Sequence, residues 1–262
     1  MPTRSSAAVS TARYNPRVAR WVIRLVSRIS RSGLSDFIYL FTGAPIVVAF
    51  YVGGFFRHDI TVLGQEHIPP KGTGFFLLSN HQGLAEAPAL GTWLYPRGIW
   101  YPSKAEFYRG WLSAFIFLTG SAWRSFPVRR GEKDADAVGL MEELLKKGDS
   151  VLLFPEGTRS HSGDLLPGKI GVGMIIHSAR PSVLPVYVEG FDRIWPARGK
   201  GYLNPLRVKR GQRALIQFGP LMDLSRHWDK PFGRQAGREI VDEVMAELAR
   251  LKEEAEDWRH QG

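Results

Sequence analysis

A histidine and a glutamate five positions apart follow an apolar run and could together move a proton. The segment SNHQGLAE, residues 79–86, holds His81 and Glu86 and comes directly after GTGFFLL, which has the composition of a buried strand. A carboxylate that holds one ring nitrogen of a histidine fixes the tautomer and raises the basicity of the other nitrogen. Such a pair suits the removal of a proton from a hydroxyl group. We therefore take both residues as candidate catalytic groups.

The spacing of this pair sets a structural condition. Each residue of an α-helix advances by about 100°, so positions five apart diverge by roughly 140° and cannot meet on one helix face. Contact between the two side chains requires the backbone to leave the strand, turn near Gly83 and enter a helix around Glu86. A lone histidine would be better explained as a core residue bonded to a backbone carbonyl. The nearby carboxylate favours a functional site over this structural explanation.

A second polar segment, PEGTRS, ends another apolar run and offers groups that bind anions. It contains Glu156, Gly157, Thr158 and Arg159. The guanidinium group of arginine suits bidentate binding of phosphate or carboxylate, although a solvated salt bridge in a turn would use the same residues. Further cations follow other apolar runs, and each alone is an ordinary surface charge: Lys104, Arg129, Arg130 and Lys169.

Several classes of chemistry are excluded by what the sequence lacks. There are no cysteines, so disulfides, thiolate nucleophiles and cysteine-based zinc sites are ruled out. The segment GDLLPGKI, residues 163–170, approximates a nucleotide-binding P-loop, but Ile170 stands where a Ser or Thr would hold Mg²⁺ and Pro167 has no N–H for a phosphate. No G-x-S-x-G, H-E-x-x-H or G-x-G-x-x-G motif is present. We expect no metal and no bound cofactor.

Positive charge is concentrated at the N-terminus. The formal net charge is +10, and residues 1–36 contain seven arginines and one aspartate. The arginines between Arg13 and Arg31 recur every three or four positions, with apolar residues on the other face, which is typical of a helix that lies on anionic lipid. A surface helix packed on the protein's own core and a transit peptide are the alternatives. Because the rest of the chain is nearly balanced in charge, we expect no nucleic-acid partner.

An uncharged stretch of twenty residues follows this segment. Residues 37–56 have the length of a membrane span, but Gly43 and Pro45 divide them, and Pro45 suits the first position of a new helix. We favour two helices sunk into one leaflet over a complete span. The sequence therefore predicts a membrane-associating region, residues 1–57, followed by a folded domain, residues 58–262.

The folded domain alternates strands with helices. Apolar runs predict strands at DITVLG, FFLLSNH, SVLLFPEG, SVLPVYVEG and RALIQFGP, and helices at residues 104–123, DAVGLMEELLKKG, VGMIIHSAR and residues 234–256. Continuous rather than alternating hydrophobicity in the strands predicts an α/β layered fold with a mainly parallel central sheet. Functional groups collect at strand ends in such folds. Glu189 and Gly190, at the end of SVLPVYVEG, we assign to structure rather than chemistry.

Taken together, these segments resemble the glycerolipid acyltransferase family that includes 1-acylglycerol-3-phosphate acyltransferase. The resemblance runs from about Val62 to Pro220 and rests on the order VLGQEHIPPKG, SNHQGLAE, SKAEF, FPVRRG, LLFPEGTRS, LPGKIG and VLPVYVEG. The family's usual motif is His-x4-Asp. Here His81 matches the catalytic base and Glu86 takes the place of the acid, which keeps the charge and adds one methylene.

The resemblance implies a reaction and roles for the remaining residues. It implies transfer of a fatty acyl group from acyl-CoA or acyl-carrier protein to a lysophospholipid, with lysophosphatidic acid as the default acceptor, and with no acyl-serine. Lys104, Arg130, Arg159 and Lys169 would hold the acceptor's phosphate, and Glu156, Gly157 and Thr158 would shape the pocket. Residues 111–123 would line the acyl chain, and the enzyme would sit on the cytoplasmic face of a membrane. The same chemistry on glycerol 3-phosphate, another lysolipid or an amino-lipid, and a catalytically silent lipid-binding relative, remain alternatives.

Overall fold

Seven strands form one sheet in the part of the chain that the structure describes. The computed structural model describes residues 58–94, 97–104, 124–128, 134–160, 162–196 and 207–260. The strands are β1 Asp59–Leu63, β2 Phe76–Ser79, β3 Ile99–Lys104, β4 Ser125–Val128, β5 Ser150–Leu153, β6 Val183–Glu189 and β7 Arg213–Phe218. Their order across the sheet is β1-β7-β6-β2-β5-β3-β4.

Five of the six neighbouring strand pairs run parallel. In the middle of the sheet, β2 pairs with β5 through Leu77 and Leu152 and with β6 through Leu77 and Leu184. β6 and β7 form the antiparallel pair. The carboxyl ends of β2, β3, β4, β5 and β6 therefore lie on one edge of the sheet, and those of β1 and β7 lie on the opposite edge.

Helices cover both faces of this sheet. They are α1 Glu86–Trp93, α2 Ala135–Lys146, α3 Ile170–Ala179, α4 Phe191–Ile194, α5 Arg234–Glu254 and α6 Glu256–His260. Residues Phe76 and Leu78 of β2 pack with α2, α3 and α5, whereas the alternate residue Leu77 packs with α1 and α4. Because both faces of β2 are buried, its apolar residues form an unbroken run. The predicted α/β class with a mainly parallel sheet is confirmed.

Two glycines allow α3 and α5 to cross at close range. A Cβ built on Gly173 of α3 would lie 1.9 Å from the carbonyl oxygen of Gly237 in α5. Any larger side chain at Gly173 would therefore separate α3 from α5. This crossing fixes α3 against the long C-terminal helix.

Two strands were not predicted from the sequence. β3 and β4 contain Pro102 and Pro127, and β4 is only four residues long, so neither shows a continuous apolar run. Proline weakens the signal of a strand because it cannot donate a ladder hydrogen bond, and β4 lies at the edge of the sheet, where this is tolerated. Lys104 was predicted to begin a helix, which is wrong for that residue, since it ends β3.

The other long elements lie where the apolar patterns place them. The predicted strands and the helices at residues 136–148, 172–180 and 234–256 agree with the structure to within a few residues. The rest of the predicted helix, residues 105–123, and the membrane-associating region, residues 1–57, lie outside the described residues. Within the described ranges, no helix is both long and apolar enough to cross a membrane.

Candidate active site

His81 and Glu86 are in contact. Nδ1 of His81 lies 2.5 Å from Oε1 of Glu86, and both side chains are buried. An ionised carboxylate can only accept hydrogen bonds, so Nδ1 of His81 carries the proton and donates it to Glu86. In the neutral ring this leaves the lone pair on Nε2. Among the described residues, none forms a hydrogen bond with that Nε2 atom.

The backbone between the two residues bends as the spacing requires. β2 ends at Ser79 and α1 begins at Glu86, so the connector covers residues 80–85. Glu86 folds back over this connector: Oε1 accepts hydrogen bonds from the N–H groups of Gln82 at 3.1 Å and Gly83 at 2.9 Å. A Cβ on Gly83 would lie 2.8 Å from the carbonyl oxygen of Phe191, so only glycine fits this close approach. The predicted turn and contact are confirmed.

The surroundings keep Glu86 ionised. Burial raises the pKa of this fully buried carboxyl, but the hydrogen bond and charge of His81 and the N–H of Gly83 act against burial and lower the pKa below its ordinary value. Glu86 also lies in the first turn of α1, where the helix dipole favours negative charge. A charged carboxylate is therefore available to orient the imidazole and stabilise its protonated form.

Phe154 holds the imidazole from one face. Its ring is stacked on that of His81 with centroids 4.0 Å apart and planes 10° apart. Phe154 directly follows β5, the neighbour of β2 in the sheet. The stacked ring and the Glu86 contact together restrict both rotation and displacement of the histidine side chain.

The carboxylate of Glu156 holds the backbone at His81 by a hydrogen bond. It is 1% exposed; Oε1 accepts the N–H of His81 at 2.9 Å and Oε2 accepts the N–H of Leu166 at 2.9 Å. In the same loop, the N–H of Ser160 donates to the carbonyl oxygen of His81 at 2.8 Å. Burial raises the pKa of the Glu156 carboxyl, and the charge of Glu86 acts in the same direction, against the two backbone donors.

Asn80 fixes the other side of the connector. Its side-chain amide donates to the carbonyl oxygen of Val188 at 2.9 Å, and its Oδ1 accepts the N–H of Val188 at 2.7 Å. β6 continues to Glu189, whereas its partner β2 ends at Ser79. The side chain of Asn80 therefore replaces the backbone pairing where the two strands diverge, and it sets the point from which His81 departs.

The comparisons with known proteins agree on a family. A family model described as Acyltransferase matches residues 59–189, half of the chain, and the match includes both His81 and Glu86. This chain is a member of the acyltransferase family. The expected resemblance is therefore confirmed.

Named relatives of this acyltransferase come from bacteria, plants and animals. The 1-acyl-sn-glycerol-3-phosphate acyltransferase of Bacillus subtilis is 28% identical over 166 residues, covering 63% of this chain and 75% of that protein. The chloroplastic 1-acyl-sn-glycerol-3-phosphate acyltransferase BAT2 of Brassica napus is 30% identical over 156 residues, covering 57% of this chain and 42% of that protein. The 1-acyl-sn-glycerol-3-phosphate acyltransferase alpha of Mus musculus is 25% identical, covering 57% of this chain and 52% of that protein. The match thus spans about half or less of the plant and mouse proteins.

A solved structure shares the fold. The crystal structure of the 1-acyl-sn-glycerophosphate acyltransferase PlsC from Thermotoga maritima aligns with a TM-score of 0.52 and 20% identity, covering 89% of this chain and 97% of that one. At this identity the likeness concerns the architecture alone.

The predicted anion-binding residues of this acyltransferase lie along one edge of the sheet, so far as the structure describes them. Gly157 has a φ of 69° and is covered by the stem of Lys169, whose Cγ lies 3.3 Å from a Cβ built on the glycine. Thr158 is exposed and Arg159 half-buried, next to the Ser160 contact with His81. Lys104 ends β3 on the same edge. Arg130, like Arg129, lies outside the described residues.

Three residues of the acyltransferase site take positions that the sequence did not reveal. Glu156 is predicted to shape the substrate pocket, and its buried carboxylate accepts hydrogen bonds from the backbone N–H groups of His81 and Leu166. Asn80 and Phe154 were not singled out. A polar residue directly after a buried strand was the available signal for Asn80, whereas Phe154 reads in the sequence as the last residue of an apolar run. Among the described residues, no three His, Asp or Glu side chains are grouped to hold a metal ion.

Proposed function

We propose that this protein transfers a fatty acyl group from a thioester donor to the free hydroxyl of a lysophospholipid, and that the default acceptor is lysophosphatidic acid. The observation that carries the proposal is the 2.5 Å contact between His81 Nδ1 and Glu86 Oε1. It leaves the second ring nitrogen with a lone pair at the sheet edge where the PEGTRS loop lies. The names of the relatives support the choice of acceptor.

The reaction begins with a proton transfer. Nε2 of His81 takes the proton of the acceptor's hydroxyl while the oxygen attacks the carbonyl carbon of the thioester. Glu86 stabilises the positive charge that develops on the ring, because its carboxylate stays ionised against burial. General base catalysis of this kind is worth about 10²–10⁴ in rate.

The second half of the reaction returns the proton. The tetrahedral adduct collapses, its carbon–sulfur bond breaks, and the new ester is released. The departing sulfur takes the proton from His81, so a thiol leaves and the neutral imidazole is restored. Atoms and charge balance without a covalent enzyme intermediate. Residues Lys104, Arg130, Arg159 and Lys169 are proposed to hold the acceptor's phosphate, and the donor is proposed to be acyl-CoA or acyl-carrier protein.

The physical cost of moving a lipid into water supports a membrane location. Each buried methylene is worth about 0.8 kcal/mol, so a chain of about fifteen methylenes represents on the order of 12 kcal/mol. An enzyme that works at the bilayer surface avoids this cost. The basic amphipathic pattern of the first 36 residues and the apolar stretch of residues 37–56 are suited to such a position. We propose that the catalytic domain faces the cytoplasm.

Acyl transfer with purified full-length protein tests the proposal. The protein in detergent or vesicles is given lysophosphatidic acid with either oleoyl-CoA or oleoyl-acyl-carrier protein, and both thiol release and product mass are measured. The expected result is phosphatidic acid with one thiol per ester from at least one donor. Vesicle binding without thiol release from either donor, on this acceptor and on a panel including glycerol 3-phosphate and an amino-lipid, would identify a silent lipid-binding relative instead.

A further inference from the structure

A polar cavity of about 340 Å³ lies at the catalytic edge of the sheet. Its described walls include Gln82 after β2, Ser160 after β5 and Glu189 at the end of β6. The side chains of His81, Arg159 and Lys169 are not among the described walls. Its volume lies near the lower end of the range for small-molecule sites, about 300–1,000 Å³.

Gln82 lines this cavity with a side chain that is largely buried. The residue is 8% exposed, and its shielded Oε1 has no hydrogen-bond partner among the residues that the structure describes. Its backbone N–H donates to Glu86, so the position of the side chain is fixed relative to the dyad. Buried carboxamides normally find partners within the protein. The hydroxyl groups of Ser160 and Ser162 line the same cavity and can both donate and accept.

The charges around the cavity cancel. Among the described residues of its walls, three are cationic and three anionic: Arg193, Lys252, Arg259, Asp164, Glu189 and Asp192. Nε of Arg259 lies 2.9 Å from a Glu189 oxygen, and Nζ of Lys252 lies 3.4 Å from an Asp164 oxygen. The described part of the lining therefore carries no net charge that would attract a phosphate. It offers hydrogen-bond donors and acceptors side by side, which is what a ligand with several hydroxyl groups requires, since each hydroxyl both donates and accepts.

We propose that this cavity binds a neutral polyhydroxylated group of the size of a glycerol or a single sugar. Two sources share this chemistry: the headgroup of a lysophospholipid acceptor and a free polyol. The acceptor source rests on the proposed function and extends it, because the enzyme would then accept a lysophospholipid whose phosphate carries a hydroxylated headgroup.

The first arm of the test compares two acceptors that differ only in the headgroup. The kcat/KM of acyl transfer is measured for 1-oleoyl lysophosphatidic acid and 1-oleoyl lysophosphatidylglycerol with wild type, Gln82→Ala, Arg193→Ala and the control Gln217→Ala. Gln217 is an equally buried glutamine whose Oε1 also lacks a partner among the described side chains, and it lies at the opposite edge of the sheet. If the headgroup is the ligand, Gln82→Ala and Arg193→Ala each lower the ratio of glycerol-headgroup to phosphate acceptor by about tenfold, and Gln217→Ala leaves it unchanged.

The second arm measures binding of free glycerol, inositol and inorganic phosphate by ligand-observed NMR, with no acyl donor present. If a free polyol is the ligand, wild type and Gln217→Ala bind glycerol or inositol, and Gln82→Ala and Arg193→Ala bind neither. The inference is overturned if neither polyol binding nor the ratio of kcat/KM for the two acceptors changes in Gln82→Ala and Arg193→Ala. It is also overturned if these two variants lose binding of inorganic phosphate and keep binding of the polyol. Failure of the proposed function is a separate result: no transfer to either acceptor in the first arm, with polyol binding intact in the second.

Discussion

Oε1 of Glu86 lies 2.5 Å from Nδ1 of His81 and also accepts the backbone N–H groups of Gln82 and Gly83. One oxygen thus orients the histidine and closes the connector that carries it. Glu86 begins α1, and its side chain folds back over the turn. The arrangement makes the contribution of each group measurable.

Removing the charge of Glu86 should slow the chemical step. Glu86→Gln keeps the size of the side chain, but a carboxamide is neutral and stabilises the protonated histidine less. We expect kcat to fall by about 10²–10⁴ with little change in KM, measured as thiol release at saturating acceptor. An unchanged kcat in this variant would show that Glu86 has a structural role only.

Shortening the same residue tests whether the site is built for glutamate. Glu86→Asp keeps the charge and withdraws the carboxylate by about 1.5 Å, the length of one bond. We expect measurable transfer in this variant, above that of Glu86→Gln, in the same assay. The absence of turnover in both wild type and Glu86→Asp would favour the silent lipid-binding protein.

Glu156→Gln should disrupt the hydrogen bonds that hold the backbone at His81 and Leu166. The carboxylate accepts one N–H on each oxygen, whereas a carboxamide places an NH₂ group against one of the two donors. We expect Glu156→Gln to lower the free energy of unfolding by about 1–3 kcal/mol and to reduce activity, measured by urea denaturation and thiol release. Glu253→Gln is the control, because Glu253 is exposed on α5. Equal stability of the two variants would contradict this role of Glu156.

Asn80 should be needed for stability. Its truncation in Asn80→Ala leaves the N–H and the carbonyl of Val188 buried without partners, each at a cost of about 1–3 kcal/mol. Asn80→Asp should also destabilise the fold, because its second oxygen faces the Val188 carbonyl. Urea denaturation measures both variants. If Asn80→Asp matched wild type, the amide group would not be donating to Val188.

Acidification should remove the contribution of Glu86 to stability. The folded-state pKa of this carboxyl lies below its ordinary value of 4.5, so on acidification the unfolded chain takes up the proton first. The contribution is present in full above the ordinary value and is lost as the pH falls through the folded-state pKa. We expect the difference in unfolding free energy between wild type and Glu86→Gln to shrink when the pH falls below 4.5. A difference that grows on acidification would contradict this sign.

The sequence predicted the helices and strands that have an unbroken hydrophobic pattern. The run ending at Leu78 and the amphipathic pattern of α5 each reflect burial that a single segment can display. β3 and β4 were missed because Pro102 and Pro127 interrupt short strands whose stability comes from their neighbours. The antiparallel direction of β7 depends on its pairing with β6, and no property of the β7 segment alone determines it.

The candidate site was predictable to the extent that its groups are close in sequence. The contact between His81 and Glu86 could be predicted because a turn at Gly83 would bring the two side chains together between β2 and α1. The roles of Phe154 and Glu156 depend on the alignment of β2 with β5, which brings residues 75 positions apart together. The PEGTRS motif alone does not show in which direction the Glu156 side chain points, so the contact of its carboxylate with the His81 backbone could not be predicted.

The most direct test of the account is acyl transfer by His81→Ala compared with His67→Ala. His67 lies at the opposite edge of the sheet, where its Nδ1 contacts the carbonyl oxygen of Phe218. Thiol release from the donor and ester formation on lysophosphatidic acid are followed in vesicles, after urea denaturation has shown both variants to be folded. We expect His81→Ala to lower the rate by at least about 10²-fold and His67→Ala to retain it. Full acyl transfer by His81→Ala would contradict the assignment of the base and the mechanism built on it.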